Sequence, residues 1–301
     1  MTMSMGQFAK LYDPDIQGMI VDKTEAPSVA GLIFNEMPAT EYVTNIVGLT
    51  GLGLTPQQEE GVAVDYSDPV QGYAKAYTQL TFGQGIQITK RLWSYNKHPE
   101  AVALGGMLGD SAAYSREKSR IDVLNDGFTV ATASGSDALE LFSLVHLLKN
   151  STSTEQNELT TTATALSDSS LEEALYTGDI TINHSGLKRR PNFRYLVVPP
   201  QLKRYALELT GSSGKPDVNT NNINALFPSL EVLSTPLLTS TTACFLLTEK
   251  SGHHLKALVH QAPAVRGPKL DFDTENIKYA LSYEEVVGWD EWFGTFGWQG
   301  A

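Results

Sequence analysis

The chain has 301 residues, with 22 Lys+Arg against 34 Asp+Glu and a formal net charge of -12. That balance argues against a dedicated nucleic-acid reader, because gripping a phosphate backbone requires surplus Lys and Arg. At 41% hydrophobic and 19% charged the composition is that of a folded soluble protein of one or two domains, and the single cysteine, Cys244, excludes an intramolecular disulfide framework.

The N-terminal MTMSMGQFAKLYDPD has polar and acidic residues where a signal peptide needs an apolar core, and no run approaches the ~18 apolar residues of a membrane span. A cytosol-like compartment is expected. Residues 1–40 mix isolated apolar residues with Pro14, Pro27 and Pro38 and show no sustained period, so they read as an extended arm lying on a neighbouring subunit, or as a disordered tail.

Residues 41–91 read as a long β-hairpin: Val62, Val64 and Tyr66 alternate before a turn at Ser67-Asp68-Pro69, and a second run spans Tyr73 to Phe82. The alternation puts Tyr73, Lys75, Tyr77 and Gln79 on one face. Neither face can make a core alone, so the hairpin needs a partner surface. Upstream, Gly48 to Leu54 is a glycine-rich segment without the spacing of a dinucleotide loop.

From 97 to 126 the pattern turns helical, with Leu104, Met107, Leu108, Tyr114, Ile121 and Leu124 near one face, Pro99 in the first turn and Asn125-Asp126-Gly127 as the stop. Gly105, Gly106 and Gly109 weaken the rod and allow an interruption. A Ser/Thr-rich loop over 150–168 leads to a capping-box match, Ser169 to Glu172, opening a short helix. A strand at Phe193–Val198, then Pro199-Pro200, feeds an amphipathic helix with Leu202, Tyr205, Ala206 and Leu209. Beyond a Gly/Ser/Asn-rich loop, strands are expected at 229–238, 243–248, 255–260 and 277–287.

Chemical motifs are weak. Gly211-Ser212-Ser213-Gly214-Lys215 resembles the end of a phosphate loop, but Leu209 stands where a glycine is required and Pro216 where the metal-binding hydroxyl belongs. Of the six histidines only His253, His254 and His260 are close in sequence, and adjacent strand residues point apart. Cys244 lies in an apolar run and reads as a buried, inert thiol. No G-x-S-x-G elbow marks a nucleophile, so no catalytic residue, metal ligand or cofactor is assigned. Trp289, Trp292, Phe293 and Trp298 crowd the C-terminal segment, either completing the subunit's own core or anchoring a neighbour.

The order of elements resembles an α+β tailed-bacteriophage major capsid protein of the HK97-like fold, closest to the Mu-type major head subunit group. Val123 to Phe128 is similar to the family's spine helix closing on an L-N-x-G turn. Leu141-Phe142-Ser143 with His146 resembles the Mu-type L-F-S-x-x-H segment, with Leu147 in place of the usual proline. Leu159-Thr160-Thr161, then Leu166-Ser167, Leu171 and Ala174, resembles the start of the group's next helix, and Tyr195 to Leu202 with Ala206 is similar to its L-V-V-P-P-x-L strand and helix.

The resemblance implies an arm over 1–40, an extended loop over 41–91, a peripheral domain with the spine helix over 92–190, an axial domain over 191–245 and peripheral return strands over 246–301. It implies a structural, non-enzymatic shell protein: many copies forming hexamers and pentamers of an icosahedral head around double-stranded DNA, with scaffold, portal and cement proteins as further partners and no membrane. Tyr66, Tyr73, Lys75, Tyr77, Trp289, Trp292, Phe293 and Trp298 are the expected inter-subunit contacts, and Lys75 is the hairpin's candidate for the Lys–Asn cross-link some relatives form. Removing 1–30 or trimming 61–82 is expected to leave a foldable subunit that assembles poorly. Competing readings are an encapsulin-type compartment shell and a cytosolic hydrolase or binding protein with the hairpin as a lid.

Overall fold

A computed structural model describes residues 16–95, 98–129, 137–149, 153–160, 164–211, 214, 224, 230–271 and 273–300. The chain opens with helix α1 (residues 16–24), the short helix α2 (Val29–Ile33) and strand β1 (Asn35–Pro38). Ser28 caps α2 by accepting a hydrogen bond from the Gly31 N–H at 2.9 Å. Residues 16–38 are therefore not an extended arm. Ile16, Ile20, Ala30, Ile33 and Phe34 are fully buried in this chain, and their burial outweighs the prolines that made the segment look irregular. Residues 1–15 of the expected arm lie outside the described residues.

Strands β2 (Val43–Leu49) and β3 (Gln71–Thr78) pair antiparallel, with Val43 opposite Thr78 and Val47 opposite Ala74. The hairpin thus joins 43–49 to 71–78, not 62–66 to 73–82. Val62, Val64 and Tyr66 sit in the open loop between the strands, and the second expected strand is split at Gln79. Beyond it, β4 (Leu80–Ile88) belongs to a different sheet, which corrects the expected trimming of 61–82: that cut removes strands from the fold.

After α3 (Lys90–Ser94) comes α4 (His98–Asn125), uninterrupted through its glycines and closed by a 3-10 turn at Asp126–Phe128. Gly105 and Gly109 admit α1 instead of breaking the rod. A Cβ on Gly105 would stand 3.0 Å from Ile16 Cγ2. Ala101, Leu108, Ala112, Ile121 and Leu124 form the buried stripe, whereas Met107 and Tyr114, expected on that face, are exposed. Deleting 1–30 would strip α1 from this stripe, so that truncation is also expected to unfold rather than merely impair assembly.

The inner face of a four-stranded sheet receives α4. Its order is β1, β10 (Leu255–Leu270), β11 (Ile277–Trp289), β4, with Ile88, Ile277, Tyr279, Leu281 and Tyr283 turned to the helix. Two arginines bind helix to sheet. Arg116 Nε donates to Glu285 Oε2 at 3.0 Å, and Arg120 reaches Glu36 Oε1 at 2.5 Å and Glu285 Oε2 at 3.4 Å.

A second layer contains the short pair β5 (His146–Leu147) and β6 (Thr154–Glu155), then α5 (Asp168–Ile180), β7 (Phe193–Val198), α6 (Lys203–Gly211), β8 (Glu231–Ser234), β9 (Ala243–Thr248) and β12 (Thr295–Gln299). The cap of α5 is Ser167 with Ser170, not Ser169 with Glu172: the Ser167 hydroxyl accepts from the Ser170 N–H while Ser170 answers the Ser167 N–H. The sheet order is β12, β9, β7, β8, and α6 supplies the crossover to parallel β8. All six residues of β9 are buried. Phe245 and Leu247 face the core under α4, and Cys244 and Leu246 face the core under α5 and α6, as strand alternation requires. The ladders regroup the expected domains: a boundary at 245 would cut β9, and β12 joins the sheet of β7 rather than the long return strands.

Candidate functional site

The longest unbroken exposed stretch among the described residues is the loop over 50–70, which carries no regular structure and is exposed throughout beyond Thr50. Its ends are tied. Thr50 N–H and Oγ1 donate to the Val70 carbonyl at 3.1 and 3.0 Å, Val70 N–H donates back to Thr50 Oγ1 at 3.1 Å, and the Ser185 hydroxyl donates to the Thr50 carbonyl. Between them Leu52, Leu54, Val62, Val64 and Tyr66 stand in solvent, Leu54 at 85% and Tyr66 at 89% exposure. Glu59, Glu60, Asp65 and Asp68 make the loop acidic, with no basic residue between Lys23 and Lys75. So much uncovered apolar surface on one projection marks an interaction site.

The root of the projection is held by the inward face of β3. Tyr73 donates its hydroxyl to the Leu147 carbonyl at 3.0 Å, meets His184 edge-on at 5.7 Å and lies beneath Lys149 Nζ at 4.6 Å. Burial, with the Asp137 charge behind it, raises the Tyr73 pKa. Lys75 Nζ is 5.9 Å from the Trp289 ring, and loss of water lowers its pKa against the opposing pull of Asp137. Tyr77 is buried, its ring so close to the backbone that a Cβ on Gly288 would stand 2.9 Å from it. Burial, then the Asp290 charge, pushes its hydroxyl pKa up.

Two carboxylates behind the root complete its fixing. Asp290 accepts from Lys256 Nζ at 2.9 Å and sits 3.3 Å from His254 Nδ1. Burial raises its pKa, but these two partners outweigh burial and leave it below the ordinary value. Glu291 lies between His184 and His254, at 3.8 and 3.9 Å, and presses on β2 where a Cβ at Gly48 would meet its oxygen at 2.6 Å.

The C-terminal aromatics resolve the alternative left open by sequence. Trp289, Trp292, Phe293 and Trp298 are each at most 4% exposed, and with Tyr77 they are enclosed by their own chain, so the inter-subunit role expected of these five is corrected to a core role. Aromatic density signals burial without saying against which chain. Tyr66 is free on the loop, and Tyr73 and Lys75 are half-buried at the root.

Trp292 stacks on His146 with ring centres 4.6 Å apart and planes 7° apart, which gives the Leu141-Phe142-Ser143…His146 segment its purpose. His146 Nδ1 lies 2.6 Å from Asp137 Oδ2 and Nε2 3.2 Å from Asn157 Oδ1. Asn157 also accepts from Ser143 N–H at 2.9 Å and donates to the Leu141 carbonyl at 2.7 Å, while its own carbonyl accepts from Gly297 N–H of β12. That pattern fixes Nε2 as the donor to Asn157. A His–Asp pair could serve a nucleophile, but here the second ring nitrogen is occupied by a carboxamide. Nothing in the sequence singled out Asn157, because one asparagine in a polar loop carries no period or motif.

Among the described residues no three His, Cys, Asp or Glu side chains converge as a metal site, and no helix is long and apolar enough to cross a membrane. The Gly211–Lys215 segment lies largely outside the described residues. Burial pushes the Cys244 thiol up to about 12.

Three solved structures share this architecture. The bacteriophage JBD30 capsid aligns with a TM-score of 0.59 at 14% identity, over 72% of this chain and 92% of that chain. The capsid of the cyanophage P-SCSP1u aligns with a TM-score of 0.58 at 11% identity, over 91% of this chain and 88% of that one. A virus-like particle from Pyrococcus furiosus gives 0.54 at 10% identity, over 96% and 99%. Identities this low establish the fold alone, a mixed helix-and-sheet fold shared with phage capsid subunits. No curated protein sequence matches this one.

The sequence itself supplies the next step: the phage capsid protein profile matches residues 72–296, and the chain belongs to the phage capsid protein family. It is a major capsid shell protein, structural in role and a component of the virion.

Proposed function

We propose that the chain assembles in the host cytoplasm into an icosahedral head of the HK97-like type that encloses double-stranded DNA. In this reading α4 is the spine helix, and the sheet of β1, β10, β11 and β4 is the body of the peripheral domain. The sheet of β7, β8, β9 and β12 with α5 and α6 is the axial domain, turned to capsomer centres. The observation that carries the reading is the acidic, apolar loop over 50–70, left uncovered by a chain whose family builds shells. Tyr66 at the loop's exposed end is the inter-subunit contact retained from sequence, and Tyr73 and Lys75 brace the projection from which it reaches a neighbour.

The family match favours a phage head over a compartment shell, and the ordered Mu-type motifs support the Mu-type group. Surplus negative charge suits a wall that must not grip its cargo, since each neutralised phosphate would add affinity. Scaffold, portal and cement proteins are the expected partners beyond the chain itself. The test replaces residues 52–68 by a short Gly/Ser turn, which the Thr50–Val70 hydrogen bonds can close. The expected product is a folded subunit that forms no shells. Normal shells from it would sink the loop's role.

A further inference from the structure

Each four-stranded sheet has two edges, and three of the resulting four are blunted or occupied. β1 is four residues long, carries Glu36 and ends on Pro38, which has no N–H to offer. β8 is also four residues long and opens on the charged Glu231. β12 is bridged at Gly297 by Glu158. Short, charged or proline-bearing edges are how folded chains avoid pairing with other chains.

β4 has none of these devices. It is nine residues long, and no Asp, Glu, Lys, Arg or Pro stands between Leu80 and Ile88. β11 fills one side of it, and no strand among the described residues lies on the other. Gly83 and Gly85 are exposed, so the backbone itself meets solvent there. An edge strand turns the N–H and C=O of every second residue outward, which gives β4 a row of unfilled bonding groups along its length. On the helix side Phe82 and Ile86 are only half-buried against the core under α4, and Leu80 is 54% exposed.

We propose that β4 pairs antiparallel with β4 of a second copy across a two-fold axis, joining two four-stranded sheets into one of eight strands. Residues opposed in such a pair share a face of the sheet. The register that overlaps the whole strand sets Gln84 opposite its own copy, Phe82 opposite the copy's Ile86 and Leu80 opposite the copy's Ile88. Apolar side chains then meet apolar ones, and the uncharged strand brings no like charges together, which is the condition self-pairing sets. Ser111 of α4 donates to Gln84 Oε1 at 2.8 Å, leaving the Gln84 amide N–H groups to donate across the axis. The contact is isologous, whereas the contacts that close rings are heterologous, and an icosahedral shell uses both kinds. This inference rests on the shell-forming reading and adds a symmetric contact to it.

The test uses the full chain. Gln84→Lys and Gln84→Glu each set like charges face to face across the axis and should lower particle yield about tenfold. The two variants coexpressed should assemble to within about threefold of wild type, because opposite charges then meet. Gln84 is exposed, so both variants should keep the wild-type melting curve. Wild-type yield from either variant alone overturns the pairing. So does a mixture no better than its parents, the result expected if another segment or another protein covers this edge.

Cysteine cross-linking reads the register without relying on yield. The chain's one cysteine, Cys244, is buried. Particles of Gln84→Cys under mild oxidation should therefore run as disulfide-linked dimers on a non-reducing gel. Leu80→Cys should run as a monomer, since its copies lie ~26 Å apart along the paired strands at ~3.3 Å per residue. Absence of the dimer at position 84, or equal linking at position 80, overturns the proposal. A wild-type chain that never multimerises overturns the shell reading, and this inference with it.

Discussion

Gly109 of α4 runs so close beneath Ile20 of α1 that a Cβ on it would stand 2.6 Å from the Ile20 carbonyl oxygen. One turn away, a Cβ on Gly106 would meet Met19 Cγ at 3.5 Å, an ordinary contact. The two glycines therefore separate helix propensity from packing. Gly106→Ala should stabilise by up to about 1 kcal/mol, whereas Gly109→Ala should destabilise by about 1–3 kcal/mol as α1 is pushed off. Urea unfolding of both variants checks this, and an equal gain in both would contradict the close approach.

Arg120 and Glu285 are both nearly inaccessible, and each keeps one polar atom, Nε and Oε1, without a hydrogen-bond partner. Removing Arg120 leaves Glu285 with Arg116 as its one charged partner, and removing Glu285 leaves Arg120 with Glu36. Arg120→Met alone is expected to cost about 1–3 kcal/mol, and Arg120→Met with Glu285→Leu to recover part of that loss. A thermal double-mutant cycle reads the coupling, and additive losses would refute it.

Asn157 satisfies the Leu141 carbonyl, the Ser143 N–H and His146 at once. Asn157→Leu keeps the volume and leaves those groups buried and unpaired, so a loss of about 2–4 kcal/mol is expected. Loss of the near-ultraviolet signal of Trp292, which stacks on His146, should accompany it. A neutral result would mean that the hub does not hold β12 in place.

His253 is buried, and burial first, then the neighbouring His254, lowers its pKa to about 4. The unfolded chain takes up this proton near the ordinary ~6.5, so between those values it binds more protons than the fold does and stability falls with acid. The full window is worth about 3 kcal/mol, fully lost by pH ~4. Below that, Asp290, whose folded pKa is depressed, adds a further loss as its carboxylate protonates. His253→Gln should flatten the melting-temperature slope between pH 6.5 and 4, and an unchanged slope would contradict the assignment.

The regular parts of this fold were legible where period and length agree. α4 was readable from its 3.6-residue pattern and stop signal, and β7 and β9 from short apolar runs. Long-range pairing was not: β3 chose β2 over the nearer 62–66 run, because the Val43–Thr78 ladder and the inward Tyr77 bury more than a local turn would. α1 is not legible locally, since its two buried isoleucines are matched by glycines on a partner helix far along the chain, a complementarity no local window contains. Five of the eight expected contact residues proved internal for the same reason: an apolar side chain demands burial but does not name its partner.

Electron microscopy of particles from cells expressing the chain, alone and with its head-assembly partners, tests the central claim most directly. Closed shells or rings of many copies are predicted, with the loop over 50–70 covered by a neighbouring subunit. A folded monomer or dimer in both settings, with that loop bare, would contradict the account.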